Sequence, residues 1–300
     1  MDDQGPPLPL RYADHVIVRG SGSKKERQTA REKLMAPLPD CYQVANCELR
    51  KNEFEIKAIA HIAASTDQTV KKLGLSSRNI HPERIHILHK DDYRRILGGR
   101  DDARTVLGHT YITRTNDMIA MLFMLTHELA HLASYLSLLV RLGPNAGHVS
   151  WKRNGYMIQR NDKNLLFTGL NEACAELLAG LIRRMLLMYT GLITPEEHKE
   201  LKSGYIYSAQ VRVVTTFIDL INERKGYVND EALVELIRGY LTGELNFMRM
   251  ANQVMPKSIP ILRTMSAEPE SALIAAYALG QKDVYLDIKK YLRSMDHVEF

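Results

Sequence analysis

The sequence predicts an α+β fold, with a small sheet and one long apolar helix in the first half and a mostly helical second half. Three observations carry this expectation. Arg84–His89 alternates polar and apolar residues with a period of two, and Thr105–Arg114 gathers β-branched and aromatic residues, so both read as strands. Met118–Val140 is a long apolar run that reads as a helix. From Asn171 onward apolar residues recur at helical spacing with few interruptions.

Residues 1–40 form a lead. It has a Pro/Gly-rich start, a short strand at His15–Val18, a turn over Gly20–Ser23 and a charged helix at Lys24–Leu34 closed by Pro37 and Pro39. Residues 41–140 form an α/β subdomain. Asn52–Ala64 is an amphipathic helix, a separate helical segment Asp67–Leu73 ends at Gly74, and the strand Arg84–His89 follows. Asp91–Leu97 is a helix with an acidic start, closed by Gly98 and Gly99, and Thr105–Arg114 leads into the apolar helix. Residues 141–300 form a helical subdomain. Arg141, Gly143 and Pro144 stop the long helix, and Asn145–Lys152 is a loop. Tyr156–Gln159 and Leu165–Thr168 pair as a hairpin turning at Asn161–Asn164. A second strong helix runs from Asn171, its N-cap, to Tyr189. After a linker at Ser203–Ser208 come helices at Ala209–Asn222, Asp230–Leu241, Phe247–Val254, Ser266–Leu279 and Asp283–Met295.

Composition narrows the function. With 45% apolar and 25% charged residues in 300, the chain can build a proper core. The net charge of +5 is spread thinly, and clusters such as Lys24–Arg27 and Arg183-Arg184 read as solvated helix faces, which argues against a nucleic-acid partner. Cys41, Cys47 and Cys174 are odd in number and lack zinc-knuckle or redox spacing, so no disulfide scaffold is expected. The start, Met1-Asp2-Asp3-Gln4-Gly5-Pro6-Pro7, lacks the features of a secretory signal, making the cytoplasm the expected location. Met118–Val140 is long enough to span a bilayer, but no second stretch is comparably apolar, and one helix could not shield its own ionisable groups. No membrane span is expected. Composition specifies no oligomeric state.

Those ionisable groups are the chemical centre of the sequence. Thr126-His127-Glu128-Leu129-Ala130-His131 interrupts the apolar run with two histidines and one glutamate. Side chains four apart lie one turn above each other, so His127 and His131 face the same way and can grip one metal ion. Glu128 projects beside them, where it can reach a water without ligating the metal. This is the H-E-x-x-H arrangement of zinc peptidases. Burying these three groups would be costly unless they are paired or metal-bound. A sheet immediately before such a helix suits a peptidase, because an edge strand can take up an extended peptide.

A catalytic zinc site has three protein ligands and an open position, and two residues compete to be the third ligand. Glu172, in Gly169-Leu170-Asn171-Glu172-Ala173-Cys174-Ala175-Glu176, starts the second apolar helix, where the helix dipole favours a carboxylate. Glu176, one turn on, can accept the free ring N–H of a ligating histidine. His148, in Gly147-His148-Val149-Ser150-Trp151-Lys152, is the other candidate.

The two motifs, H-E-L-A-H and G-L-N-E-A-x-x-E, resemble those of the gluzincin, or thermolysin-like, zinc metallopeptidases, especially small bacterial members. The resemblance covers roughly residues 105–188. It implies a zincin-like fold, zinc bound by His127, His131 and Glu172, and Glu128 as general base. Glu176 and Asn171 would stand behind the ligands, although an Asp is usual where Glu176 stands. It also implies a tyrosine or histidine from the helical half that stabilises the oxyanion; Tyr207 is the favoured candidate, with Tyr205 two residues away. With His148 as third ligand the chain is instead similar to the SprT-like metalloproteases, which act on DNA-bound proteins. Against that, Val149 stands where a glycine is expected, no cysteine-rich zinc ribbon follows, and Glu172 and Glu176 are left without a role. The metzincin signature fails, because Ser134 and Ser137 occupy its Gly and His positions. The expected activity is zinc-dependent hydrolysis of a peptide or protein substrate. The alternative from a different class is a binding or regulatory module that keeps the fold without proteolysis.

Overall fold

The computed structural model describes residues 16–20, 23–35, 44–78, 80–98, 101–106, 108–141, 148–161, 164–189, 194–196 and 207–295. The chain is a mixed α+β structure dominated by helices, with two small sheets. Strand β1 (Val16–Gly20) and helix α1 (Lys24–Met35) come first, then α2 (Val44–Cys47) and α3 (Glu53–Lys72). Asn52 caps α3 in a capping box with Glu55, and the buried Glu55 carboxylate takes two bonds from Arg114, fixing the helix start to the sheet. The two segments expected at Asn52–Ala64 and Asp67–Leu73 are one helix. The hydroxyls of Thr66 and Thr69 bond back to the carbonyls of Ile62 and Ser65, so the polar stretch does not break it.

β2 (Ile85–Leu88), α4 (Lys90–Leu97), β3 (Ala103–Val106) and β4 (His109–Thr113) follow. The single strand expected at Thr105–Arg114 is instead the end of β3 and the whole of β4, which pair antiparallel; Gly108 lies in the turn between them at φ +82°. β2 runs parallel to β4, giving the order β2-β4-β3 with β3 at an edge.

Helix α5 (Met118–Ala133) begins at Asp117, whose side chain accepts from Ala120 N. It ends seven residues before Val140, the end of the apolar run, and Leu136–Arg141 is strand β5. The cause is tertiary. Ser134 turns the chain out, its hydroxyl bonding His131 O at 2.7 Å, and Tyr135 is then held on both sides, its N–H by Tyr240 O and its carbonyl by Gly155 N. The apolar run is therefore divided between a helix and a strand, and among the described residues no helix is long and apolar enough to cross a membrane.

β5 pairs with β1 in parallel and with β6 (His148–Asn154) antiparallel; β7 (Met157–Asn161) and β8 (Asn164–Leu166) complete the order β1-β5-β6-β7-β8. The expected loop Asn145–Lys152 is thus a strand from His148 onward. The expected hairpin is present as β7 and β8. The boundary drawn at 140/141 falls inside β5, in the middle of this sheet.

Helix α6 (Thr168–Tyr189) starts three residues before Asn171, so Asn171 is not its N-cap. Its side-chain Oδ1 instead accepts from Tyr156 N and Met157 N at 3.0 and 3.3 Å, clamping the β6–β7 turn onto the helix. The later helices are α7 (Ser208–Lys225), α8 (Glu231–Thr242), α9 (Asn246–Val254), α10 (Ser258–Thr264), α11 (Pro269–Ala278) and α12 (Lys282–Met295). Of these, α10 was not anticipated. One continuous core runs through α3, α5, α6 and the later helices. Leu122, Leu125 and Leu129 of α5 are fully buried in it, each worth about 1.5–3 kcal/mol.

At the β6–β7 turn a side chain has no room. A Cβ on Gly155, which has φ +55°, would lie 2.4 Å from the Tyr240 ring and 2.5 Å from Asn171 Oδ1. Gly155→Ala is expected to cost about 2–4 kcal/mol from strain and overpacking together. Chemical denaturation checks this, and an unchanged midpoint would contradict the packing described here.

Candidate metal centre

Two helices bring the predicted residues together. His127 and His131 leave α5 one turn apart, and Glu172 and Glu176 leave α6 one turn apart, where the two helices pack. His127 Nε2, His131 Nε2 and Glu172 Oε2 form a triangle with edges of 3.1, 3.1 and 3.3 Å. A tetrahedral zinc ion with ligand bonds of about 2.0–2.1 Å sets its ligand atoms roughly 3.3 Å apart, so the triangle fits one face of that tetrahedron. Two imidazoles and one carboxylate are also a donor set that zinc takes. Among the described residues this is the one group of histidine, cysteine or acidic side chains that could hold a metal ion.

The atoms behind the triangle orient it. His127 Nδ1 is 2.8 Å from Glu176 Oε2; a carboxylate only accepts, so Nδ1 donates and Nε2 faces the triangle, protonated in the metal-free form and able to ligate once that proton is lost. Glu176 is fully buried, and its other oxygen accepts from Arg183 Nη2. Burial pushes the Glu176 carboxyl up, but the His127 hydrogen bond and the Arg183 charge outweigh it and hold the group ionised. On the other side His131 Nδ1 lies 3.0 Å from Tyr240 Oη. Glu172 is also held below the usual carboxylate range: burial raises its pKa, while the His131 charge and hydrogen bonds from both histidines lower it further.

Glu128 is buried and lines the same cavity of about 410 Å³, and its Oε2 has no hydrogen-bond partner among the described residues. The edge strand β3 forms one wall, and Thr105 Oγ1 fastens it to the motif helix by donating to Glu128 O at 3.0 Å. Tyr207, at the N-cap of α7, lies against the site, with its ring stacked on His127 at 5.3 Å. Burial, then Glu172 and Glu128, raise its phenol pKa, so it keeps its proton. Tyr205 lies outside the described residues. The side chain of His148 does too; its backbone opens β6, six residues before Asn154, the strand's contribution to the cavity. At strand rise that places it roughly 20 Å away.

Arg183, Tyr240 and Thr105 belong to this constellation and are not anticipated by the sequence reading. Arg183 is the instructive case. It sits seven residues after Glu176, two turns along the same helix face, and is 2% exposed, whereas its neighbour Arg184 is exposed. The pair is therefore not a solvated face. Comparison with protein-family models, curated proteins and solved structures finds no match for this chain.

The site competes for positive charge. Burial lowers the His127 pKa, but hydrogen bonds to Glu172 and Glu176 outweigh it and push it from the usual 6.5 up to about 10. That proton stabilises the metal-free fold fully below pH 6.5, and the contribution is lost as pH rises through about 10. A bound metal replaces the proton. Thermal melts of chelator-treated protein are expected to fall in midpoint from pH 6.5 toward pH 10, with the gain from added zinc growing over the same range. A zinc-induced shift that is constant with pH, or zero, would contradict this.

Proposed function

We propose that the chain is a zinc-dependent peptidase of zincin type, with His127, His131 and Glu172 as metal ligands and Glu128 as general base. The observation that carries the reading is the 3.1–3.3 Å triangle of ligand atoms, with Glu128, whose Oε2 has no hydrogen-bond partner among the described residues, lining the same cavity. The small mixed sheet preceding the motif helix, and its edge strand β3 along the cavity, support both the zincin-like fold and an extended peptide as substrate. The roughly 20 Å separation of His148 from the strand's cavity end favours Glu172 as third ligand.

Zinc, when bound, polarises the substrate carbonyl and acidifies water. The protein supplies the rest. β3 offers its free edge to align the substrate backbone. Glu128 takes a proton from the attacking water and returns it to the departing amine nitrogen as the C–N bond breaks. Tyr207, kept protonated, donates a hydrogen bond to the oxygen that gains negative charge. Glu176, held by Arg183, and Tyr240 fix the two imidazoles, so that little reorientation is needed when a metal binds.

Turnover of a diverse peptide library by zinc-loaded protein tests this. Glu128→Gln should lower the rate by about 10²–10⁴-fold with zinc content unchanged. Glu172→Ala should lose zinc, and His148→Ala should keep it. Absence of turnover by zinc-loaded wild type would favour a binding module, and the reversed metal result would favour the SprT-like arrangement.

A further inference from the structure

The β6–β7 hairpin has two faces. Asn154 and Met157 line the metal-site cavity, while Arg153, Tyr156 and Ile158 line a second cavity, of about 450 Å³, on the opposite side. The alternation follows from the two-residue period of a strand. Its volume is within the range of small-molecule sites, which are apolar with a few converging polar groups. Phe167, Met248 and Ile259 complete the apolar wall. Phe167 holds φ +61°, a left-handed conformation that a bulky residue rarely adopts, and its N–H bonds Arg263 O at 2.9 Å.

Among the described residues, the charged ones lining this cavity are both arginines, Arg153 and Arg249, and no acid lines it. Arg153 is committed to structure: Nε donates to Gly155 O and Nη1 to Gly243 O, each at 2.7 Å, joining the hairpin to the end of α8. It adds positive potential, and its buried Nη2, without a hydrogen-bond partner among the described residues, is a donor left over. Arg249 stands exposed at the rim; its Nη1 donates to Asn246 Oδ1 at 3.4 Å, and it also lines a neighbouring cavity with Glu231 and Glu235. A guanidinium at that rim can still grip a carboxylate with two parallel bonds. An apolar chamber whose charged lining residues are two arginines suits an amphipathic anion.

We propose that this cavity binds a medium-chain fatty acid, with its carboxylate on Arg249 and its tail along Tyr156, Ile158 and Phe167. The site is separate from the metal centre, and the proposal does not rest on the peptidase reading. A ligand there would lie against the back of the hairpin that walls the metal-site cavity.

Calorimetry with decanoate below its micelle concentration, run with and without zinc, is the test. One saturable site is expected, with the same affinity in both conditions. Decanol, which has the same tail and no charge, should bind at least about tenfold more weakly, and Arg249→Gln should remove that difference. Ile259→Trp should fill the chamber and block both ligands; should it fail to fold, the exposed Arg249→Gln variant still decides. The proposal is overturned by absent or non-saturable decanoate binding, by decanol binding as tightly as decanoate, or by Arg249→Gln leaving the difference intact. Binding that disappears when zinc is removed would place the carboxylate at the metal centre and would also overturn it.

Discussion

Three ligand-type atoms, His127 Nε2, His131 Nε2 and Glu172 Oε2, held 3.1–3.3 Å apart in a buried setting, are the constraint around which this molecule is arranged. One imidazole lone pair and an anionic oxygen repel at that distance unless a proton or a metal ion lies between them. Everything behind the triangle keeps it from relaxing. Arg183 balances the Glu176 charge, Glu176 fixes the His127 ring, and Tyr240 fixes the His131 ring. Arg183 also lies 4.5 Å over the Phe123 ring, so its own charge is buried in a contact that tolerates it.

The same constraint ties the two halves of the chain together. Tyr240 belongs to α8 yet touches a motif histidine, leaves no room for a side chain at Gly155, and accepts the Tyr135 N–H that draws the chain out of α5. Asn171 fastens the β6–β7 turn one residue before Glu172. The site and the fold therefore share hydrogen bonds, and a change at either end reaches the other through a single layer of side chains.

What could be read from the sequence was local. The H-E-x-x-H spacing and the Glu172/Glu176 spacing are one-turn relations that any helix enforces, and the two pairs meet in the structure. The end of α5 could not be read. Leu136–Arg141 suits helix or strand equally, and the choice is made by Tyr240 and Gly155, distant in sequence. The break between β3 and β4 rested on Gly108 in a run otherwise rich in strand formers. Arg183 was legible in principle, since it falls two turns after Glu176, but its position in a basic pair suggested solvent. Tyr240 carried no local signal at all.

The central claim is that the triangle is a zinc site with two imidazole ligands and one carboxylate. X-ray absorption at the zinc edge of stoichiometrically loaded protein tests it most directly. The account predicts about four nitrogen and oxygen ligands near 2.0–2.1 Å, with outer-shell scattering from two imidazole rings. Sulfur scattering near 2.3 Å, or a shell with fewer than two imidazoles, would contradict it.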